Sequence, residues 1–247
     1  MKPTQVVAHR GSSAHHPDNS WSAFHAAVAE RADCIECDVQ ATRDGILILR
    51  HDLGVDDRMI ADLSYAEIEA RLPGLVILGE FIAWAQHAKI ALLVEVKDPD
   101  ATAAVAAVIS ASPWRNEIVL GGFHGPALAA AKVQAPKLKT SFMIGSVMAT
   151  EDMVRLAAAY RVDGVHLCWE ARAARPHQLV DREVIDRLRR AKLAITLWHE
   201  ERVDELRALV GLEPDAICTN TPAVLRRIVD SLCAVAGAST DSIRTRN

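Results

Sequence analysis

"CIECDVQATRDGILILR", residues Cys34–Arg50, decides the fold. Glu36 and Asp38 stand two apart in an otherwise apolar run, which reads as a strand over 34–39. Spacing of two puts both carboxylates on one face. Burying a lone carboxylate is costly unless it is paired, hydrogen-bonded or bound to a cation. If Cys34 and Glu36 point inward, then Ile35, Cys37 and Val39 point outward, where covering helices would meet them. Asp44-Gly45 then reads as the turn of a hairpin. So 46–50 returns along 34–39 above a barrel rim and carries His51 towards the mouth.

Outward from this stretch, short apolar runs alternate with amphipathic helical patterns. The strand runs are 5–8, 34–39, 46–50, 91–96, 117–121, 139–143, 163–168, 194–198 and 215–218. Helical patterns cover 20–30, 64–71, 79–88, 101–111, 125–134, 151–160, 181–191, 201–210 and 222–235. Runs such as "IALLV" and "AITLW" are apolar on both faces, as parallel strands under helices should be. Repeated strand–helix units predict an α/β fold, a (β/α)8 TIM barrel with 46–50 as the extra hairpin strand. A doubly wound sheet is the alternative, weakened by the lack of a glycine-rich turn after the first strand. One domain is expected over 1–236, followed by a polar, disordered tail at 237–247.

The 247 residues carry a formal charge of -4, which gives no global field for nucleic acid. The basic run Arg187–Lys192 lies on a helical pattern and reads as a solvated face. No segment approaches the ~20 apolar residues of a membrane span, so no membrane insertion is expected. The N-terminus lacks the apolar core of a signal peptide. Five cysteines, mostly in apolar patterns, suit a reducing, cytoplasmic setting better than a disulfide framework. Cys34 and Cys37 form a C-x-x-C, but residues three apart on a strand face opposite ways, so they should not share a metal. A homo-oligomer is left open.

In a barrel the strand C-termini carry the chemistry. His9 and Arg10 follow the first strand, and His51 and Asp52 follow the hairpin. Glu95 and Lys97, again two apart, share a face of a third strand. Taken singly, each has a plain structural alternative: a core histidine, a turn residue, a buried ion pair. Together, three carboxylates suit a divalent cation, Ca²⁺ or Mg²⁺. Two histidines can exchange protons, and Arg10 and Lys97 can hold phosphate oxygens. The chemistry that fits is displacement at a phosphodiester, with a small-molecule substrate. Phe123, His124, Trp169 and Trp198 follow or end other strands and are candidates to line the pocket. His166 reads as a strand histidine satisfied in the core, and His15 and His16 as solvated. An amide-cleaving metal barrel would prefer an H-x-H on the first strand, and His9-Arg10 stands there instead. A non-catalytic phosphosugar-binding barrel would tolerate loss of a histidine or carboxylate, and none is lost.

The order "AHRGSSAHHPDNSWSAF…ADCIECDVQATRDGILILRHD…LLVEVKD" resembles the glycerophosphodiester phosphodiesterase family. The likeness is dense over 6–52, returns at 92–98, and thins to "LAITLWHEE" and "DAICTNTPAVL". It implies a distorted barrel and a divalent-cation-dependent hydrolase. By position, Glu36, Asp38 and Glu95 would be metal ligands, His9 and His51 the acid/base pair, and Arg10 and Lys97 phosphate contacts. It further implies attack by a substrate hydroxyl through a cyclic phosphate. Two departures stand out. Asp18 and Ser20 replace the family's usual glutamate and threonine, and "LGVDDRMIADLS" is a shorter stretch over the pocket. That shortened cover points to alcohol groups other than the usual glycerol pair, with an agrocinopine-type sugar phosphodiester as one candidate.

Overall fold

The computed structural model describes residues 3–168 and 174–244. Its strands are β1 (Gln5–His9), β2 (Cys34–Ala41), β3 (Leu47–Leu49), β4 (Gly54–Val55), β5 (Arg58–Met59) and β6 (Ala91–Val96). They continue as β7 (Ile118–Gly122), β8 (Lys139–Ile144), β9 (Gly164–Cys168), β10 (Ala194–Trp198) and β11 (Ala216–Thr219). Strands β1, β2 and β6 to β11 are parallel neighbours in sequence order, and β1 bonds both β2 and β11, so the sheet closes. This is the predicted (β/α)8 barrel. The helices are α1 (Trp21–Ala29), α2 (Tyr65–Glu69), α3 (Leu78–Ala88), α4 (Thr102–Ala111) and α5 (Gly125–Gln134). They end with α6 (Thr150–Tyr160), α7 (Arg182–Arg190), α8 (Val203–Gly211) and α9 (Pro222–Arg244).

The alternation read from β2 sorts its side chains as expected. Ile35, Cys37 and Val39 join the core between sheet and helices, beside Phe24 of α1 and Phe81 of α3. Cys34 joins the separate barrel interior of Val7, Leu93, Ala216 and Cys218. The two cysteines therefore lie on opposite faces. β3 runs antiparallel to β2, pairing Val39 with Leu49 and Ala41 with Leu47. Gly45 turns the hairpin at φ 81°, a backbone conformation that costs glycine nothing.

The stretch after β3 holds more structure than its sequence shows. β4 and β5 form a small ribbon, and Ile48, Val55, Ile60, Leu63 and Ile68 bury one another as a second core. The tail expected from residue 237 is helical as far as Arg244, because α9 continues through it. The basic run on α7 is partnered by acids: Arg187 meets Glu151 and Glu183, and Arg189 lies 3.8 Å from Asp186. No helix among the described residues is long and apolar enough to cross a membrane.

Candidate active site

β1 and β2 set two functional residues side by side, since His9 pairs in register with Glu36. Asp38, one turn of the pleat further, pairs with Glu95 of β6. Glu36 and Asp38 are fully buried and Glu95 is 1 % exposed. One oxygen from each lies within 4.8 Å of the others.

Three buried carboxylates repel one another, so cations and donors gather around them. Arg10 adopts φ 56°, in the left-handed region that costs most residues about 1 kcal/mol or more. That turn aims its amide at Glu36 Oε2, 3.0 Å away, and its Nε comes 3.0 Å from Asp38 Oδ2. Gly11, at φ 84°, lets the chain leave, for a Cβ there would meet the Ala23 backbone at 2.6 Å. Lys97 Nζ lies 2.7 Å from Glu95 Oε1 and 3.3 Å from Asp38 Oδ1.

Asn19 contributes a clasp that sequence reading missed. Its side-chain nitrogen donates to Asp38 Oδ2 at 2.9 Å, and its oxygen accepts the Asp38 amide at 3.2 Å. Its φ is 52°, and in the sequence its place in "PDNS" points only to a helix N-cap. The N-cap itself is Ser20, whose hydroxyl accepts the Ala23 amide at 3.2 Å. Asp18 points elsewhere, to Arg10 Nη1 at 3.3 Å, and is half exposed.

The charges are unevenly offset. Burial, then repulsion from Asp38 and Glu95, holds the Glu36 carboxyl well above its ordinary pKa. Burial and Asp38 push Glu95 up to about 7. Burial works against the Lys97 ammonium, yet Asp38 and Glu95 hold its pKa above normal. Even with these cations present, Glu36 Oε1 and Glu95 Oε2 have no hydrogen-bond partner among the described residues, and Asp38 Oδ1 has only the ion-pair contact to Lys97. One under-satisfied oxygen per carboxylate, converging from two strands, is the donor set a hard divalent cation takes. The residues fit such an ion.

His9 is 3 % exposed, and its Nε2 lies 3.9 Å from Glu36 Oε2. Burial, then the Arg10 charge and His199, lowers its pKa well below the usual imidazole value. His51 follows β3 at the rim. Gln40 pins that corner by donating to the Arg50 and Asp52 carbonyls, each at 2.8 Å, and the Arg50 amide donates to the Asp38 carbonyl at 3.0 Å. His51 Nδ1 is 3.1 Å from Asp52 Oδ1.

The pocket candidates separate. Trp198 faces the barrel interior, its ring 5.6 Å from His9 and 5.9 Å from the exposed ring of Phe123. His124 instead caps α5, its Nδ1 accepting the Ala127 amide at 3.3 Å. Trp169 lies outside the described residues. His166 is buried beneath Trp198, ring centroids 5.4 Å apart. It is not satisfied as expected: neither ring nitrogen has a hydrogen-bond partner among the described residues. It stands in register with Met143 of β8 and Thr196 of β10, and burial lowers its pKa to about 3.

The chain is similar to known proteins over most of its length. Residues 9–224 match the Glycerophosphoryl diester phosphodiesterase family. A Glycerophosphodiester phosphodiesterase of Caldanaerobacter subterraneus subsp. tengcongensis is 24% identical over 92% of this chain and 98% of its own length. The crystal structure of a glycerophosphodiester phosphodiesterase from Parabacteroides distasonis is 18% identical and superposes with TM-score 0.77, covering 94% of this chain and all of that one. An Oleispira antarctica phosphodiesterase, solved with the product sn-glycerol-3-phosphate, is 20% identical with TM-score 0.79, over 92% of this chain and 97% of that one.

Proposed function

The chain belongs to the glycerophosphoryl diester phosphodiesterase family, whose members are phosphoric diester hydrolases, and from that premise we propose that it cleaves a small-molecule phosphodiester with the help of a divalent cation. The observation that carries this reading is the buried trio of Glu36, Asp38 and Glu95, each keeping an oxygen without a hydrogen-bond partner beside the histidine of β1. A Ca²⁺ or Mg²⁺ ion held by that trio would supply positive charge to the diester and to the charge developing on its oxygens.

The chain's own groups do the rest. Arg10 and Lys97, already drawn to the acidic trio, offer N–H donors to the non-bridging phosphate oxygens. A hydroxyl of the substrate next to the phosphate attacks phosphorus. His9 and His51 divide the proton work: one accepts the hydroxyl proton, the other donates to the leaving oxygen. A cyclic phosphate results, and water opens it with the roles reversed. The depressed pKa of His9 suits a group that must be neutral to accept a proton at ordinary pH.

The alcohol group is read from the wall beside His9. Phe123 and Trp198 offer flat apolar surface, which can pack on the apolar face of a sugar. A sugar phosphodiester of the agrocinopine type is therefore the second reading of the substrate.

The test is phosphodiester turnover followed by ³¹P NMR with glycerophosphocholine, glycerophosphoglycerol and a sugar–sugar phosphodiester. Turnover is expected to vanish in chelator, to return with Ca²⁺ or Mg²⁺, and to be absent in His9→Ala. Ligand binding without turnover of any diester would overturn the catalytic reading in favour of a phosphosugar-binding barrel.

A further inference from the structure

His9 is gripped from a direction that its own strand does not supply. Asn220, immediately after β11, places its side-chain oxygen 2.7 Å from His9 Nδ1. The Ser13 hydroxyl lies 2.8 Å from the same oxygen and 2.7 Å from the His9 carbonyl, and its single proton is shared between the two. Asn220 is itself held. Its backbone amide donates to Glu201 Oε1 at 3.0 Å, and that same oxygen lies 3.0 Å from Nδ1 of His199. The His199 ring lies flat on the His9 ring, centroids 4.6 Å apart and planes 24° from parallel. Trp198 meets the imidazole edge-on, so the ring is fixed both in plane and in rotation.

An amide oxygen only accepts hydrogen bonds. The nitrogen facing it must therefore carry the imidazole hydrogen. A neutral imidazole has one N–H, so the lone pair falls on Nε2. Nε2 is the atom that faces the acidic trio, 3.9 Å from Glu36 Oε2, with no hydrogen-bond partner among the described residues. We propose that Asn220 is a positioning residue that locks His9 in its Nδ1–H tautomer, and that His9 is thereby the base of the pair. Glu201 and His199 brace this lock rather than touch the substrate.

An amide suits the task better than a carboxylate. A carboxylate in its place would favour the imidazolium, which cannot accept a proton. In the step so defined, the substrate hydroxyl gives its proton to Nε2 and its electron pair to phosphorus. The bond from phosphorus to the leaving oxygen breaks, and that oxygen takes its proton from His51.

The inference rests on the proposed phosphodiesterase reading, and the experiment separates the two. Histidine labelled with ¹⁵N reports tautomers through two-bond ¹H–¹⁵N correlations, without substrate or variant. His9, assigned by its loss in His9→Ala, is expected to show Nδ1–H and an unprotonated Nε2. Asn220→Leu is expected to mix the tautomers and to lower kcat by about 10- to 100-fold with KM within about threefold. Asn220→Asp, which keeps an acceptor, should keep Nδ1 protonated while favouring a second proton at Nε2, and loss of the Nδ1 proton in that variant overturns the inference. A wild-type His9 protonated on Nε2, or wild-type kcat in Asn220→Leu, overturns the inference. Turnover that survives in His9→Ala overturns the phosphodiesterase reading of His9 and the inference with it.

Discussion

At the scale of single residues, the site stores repulsion. Glu36 is buried among like charges, offset by the Arg10 amide and guanidinium. Glu36→Gln removes one of those charges and keeps the shape. In chelator the variant is expected to melt a few degrees higher than wild type, about 1–2 kcal/mol in stability, while losing turnover at saturating metal. Calorimetry and the ³¹P assay measure the two halves. His166 gives a second residue-scale outcome. Its pKa is about 3 when folded, against roughly 6.5 in an unfolded chain. The unfolded state therefore binds a proton first as pH falls. The stability contributed by the neutral ring is whole above about pH 6.5 and drains away between there and about pH 3, at up to about 1.4 kcal/mol per pH unit. Urea midpoints from pH 7 to 4.5 should fall less steeply in His166→Leu than in wild type. The acidic residues were legible because a two-residue spacing is a local signal. The unsatisfied state of His166 was not, because it depends on what the two neighbouring strands, β8 and β10, place at its level.

At the scale of elements, β2 and β3 form the hairpin that the Asp-Gly turn predicted, and His51 follows two residues after its second strand. What holds it there is Gln40, a residue that β2's apolar alternation gave no reason to single out. Gln40→Leu strands two carbonyls that it now satisfies, at about 1–3 kcal/mol. Turnover is expected to fall about tenfold, and limited proteolysis should begin to cut within 51–62. The ribbon of β4 and β5 escaped sequence reading because two-residue strands carry no periodicity. Its small core forms from residues that look like a loop until Ile48 of β3 is laid beneath them. Asn19 was hidden for a related reason: an asparagine before a helix reads as a cap, yet here Ser20 caps and Asn19 is freed to clasp Asp38.

At the scale of the whole molecule, the barrel was legible because eight strand–helix units repeat along the chain. The partners of His9 were not, since His9 and Asn220 are separated by 211 residues and meet only when β1 and β11 pair. The outward face of β2 packs into the core between sheet and helices. Ile35→Ala empties a fully buried position and should cost about 2–5 kcal/mol in denaturant unfolding, with KM little changed in the folded fraction. Binding of a divalent cation to the acidic trio should add about 2.7 kcal/mol at a hundredfold excess over Kd, seen as a higher Tm. Glu95→Gln should abolish that shift.

The distance along the chain between the two halves of the site has a consequence for synthesis. Glu36, Asp38, Glu95 and Lys97 all leave the ribosome within the first hundred residues. Asn220, which bonds the His9 ring, follows more than a hundred residues later, immediately after the last strand to be made. On the proposed roles, all three carboxylates are synthesised early, while the His9 imidazole meets Asn220 only once β11 pairs with β1. On those same roles, a chain cut short before β11 is expected to show no turnover, which a truncation ahead of Ala216 tests in the ³¹P assay.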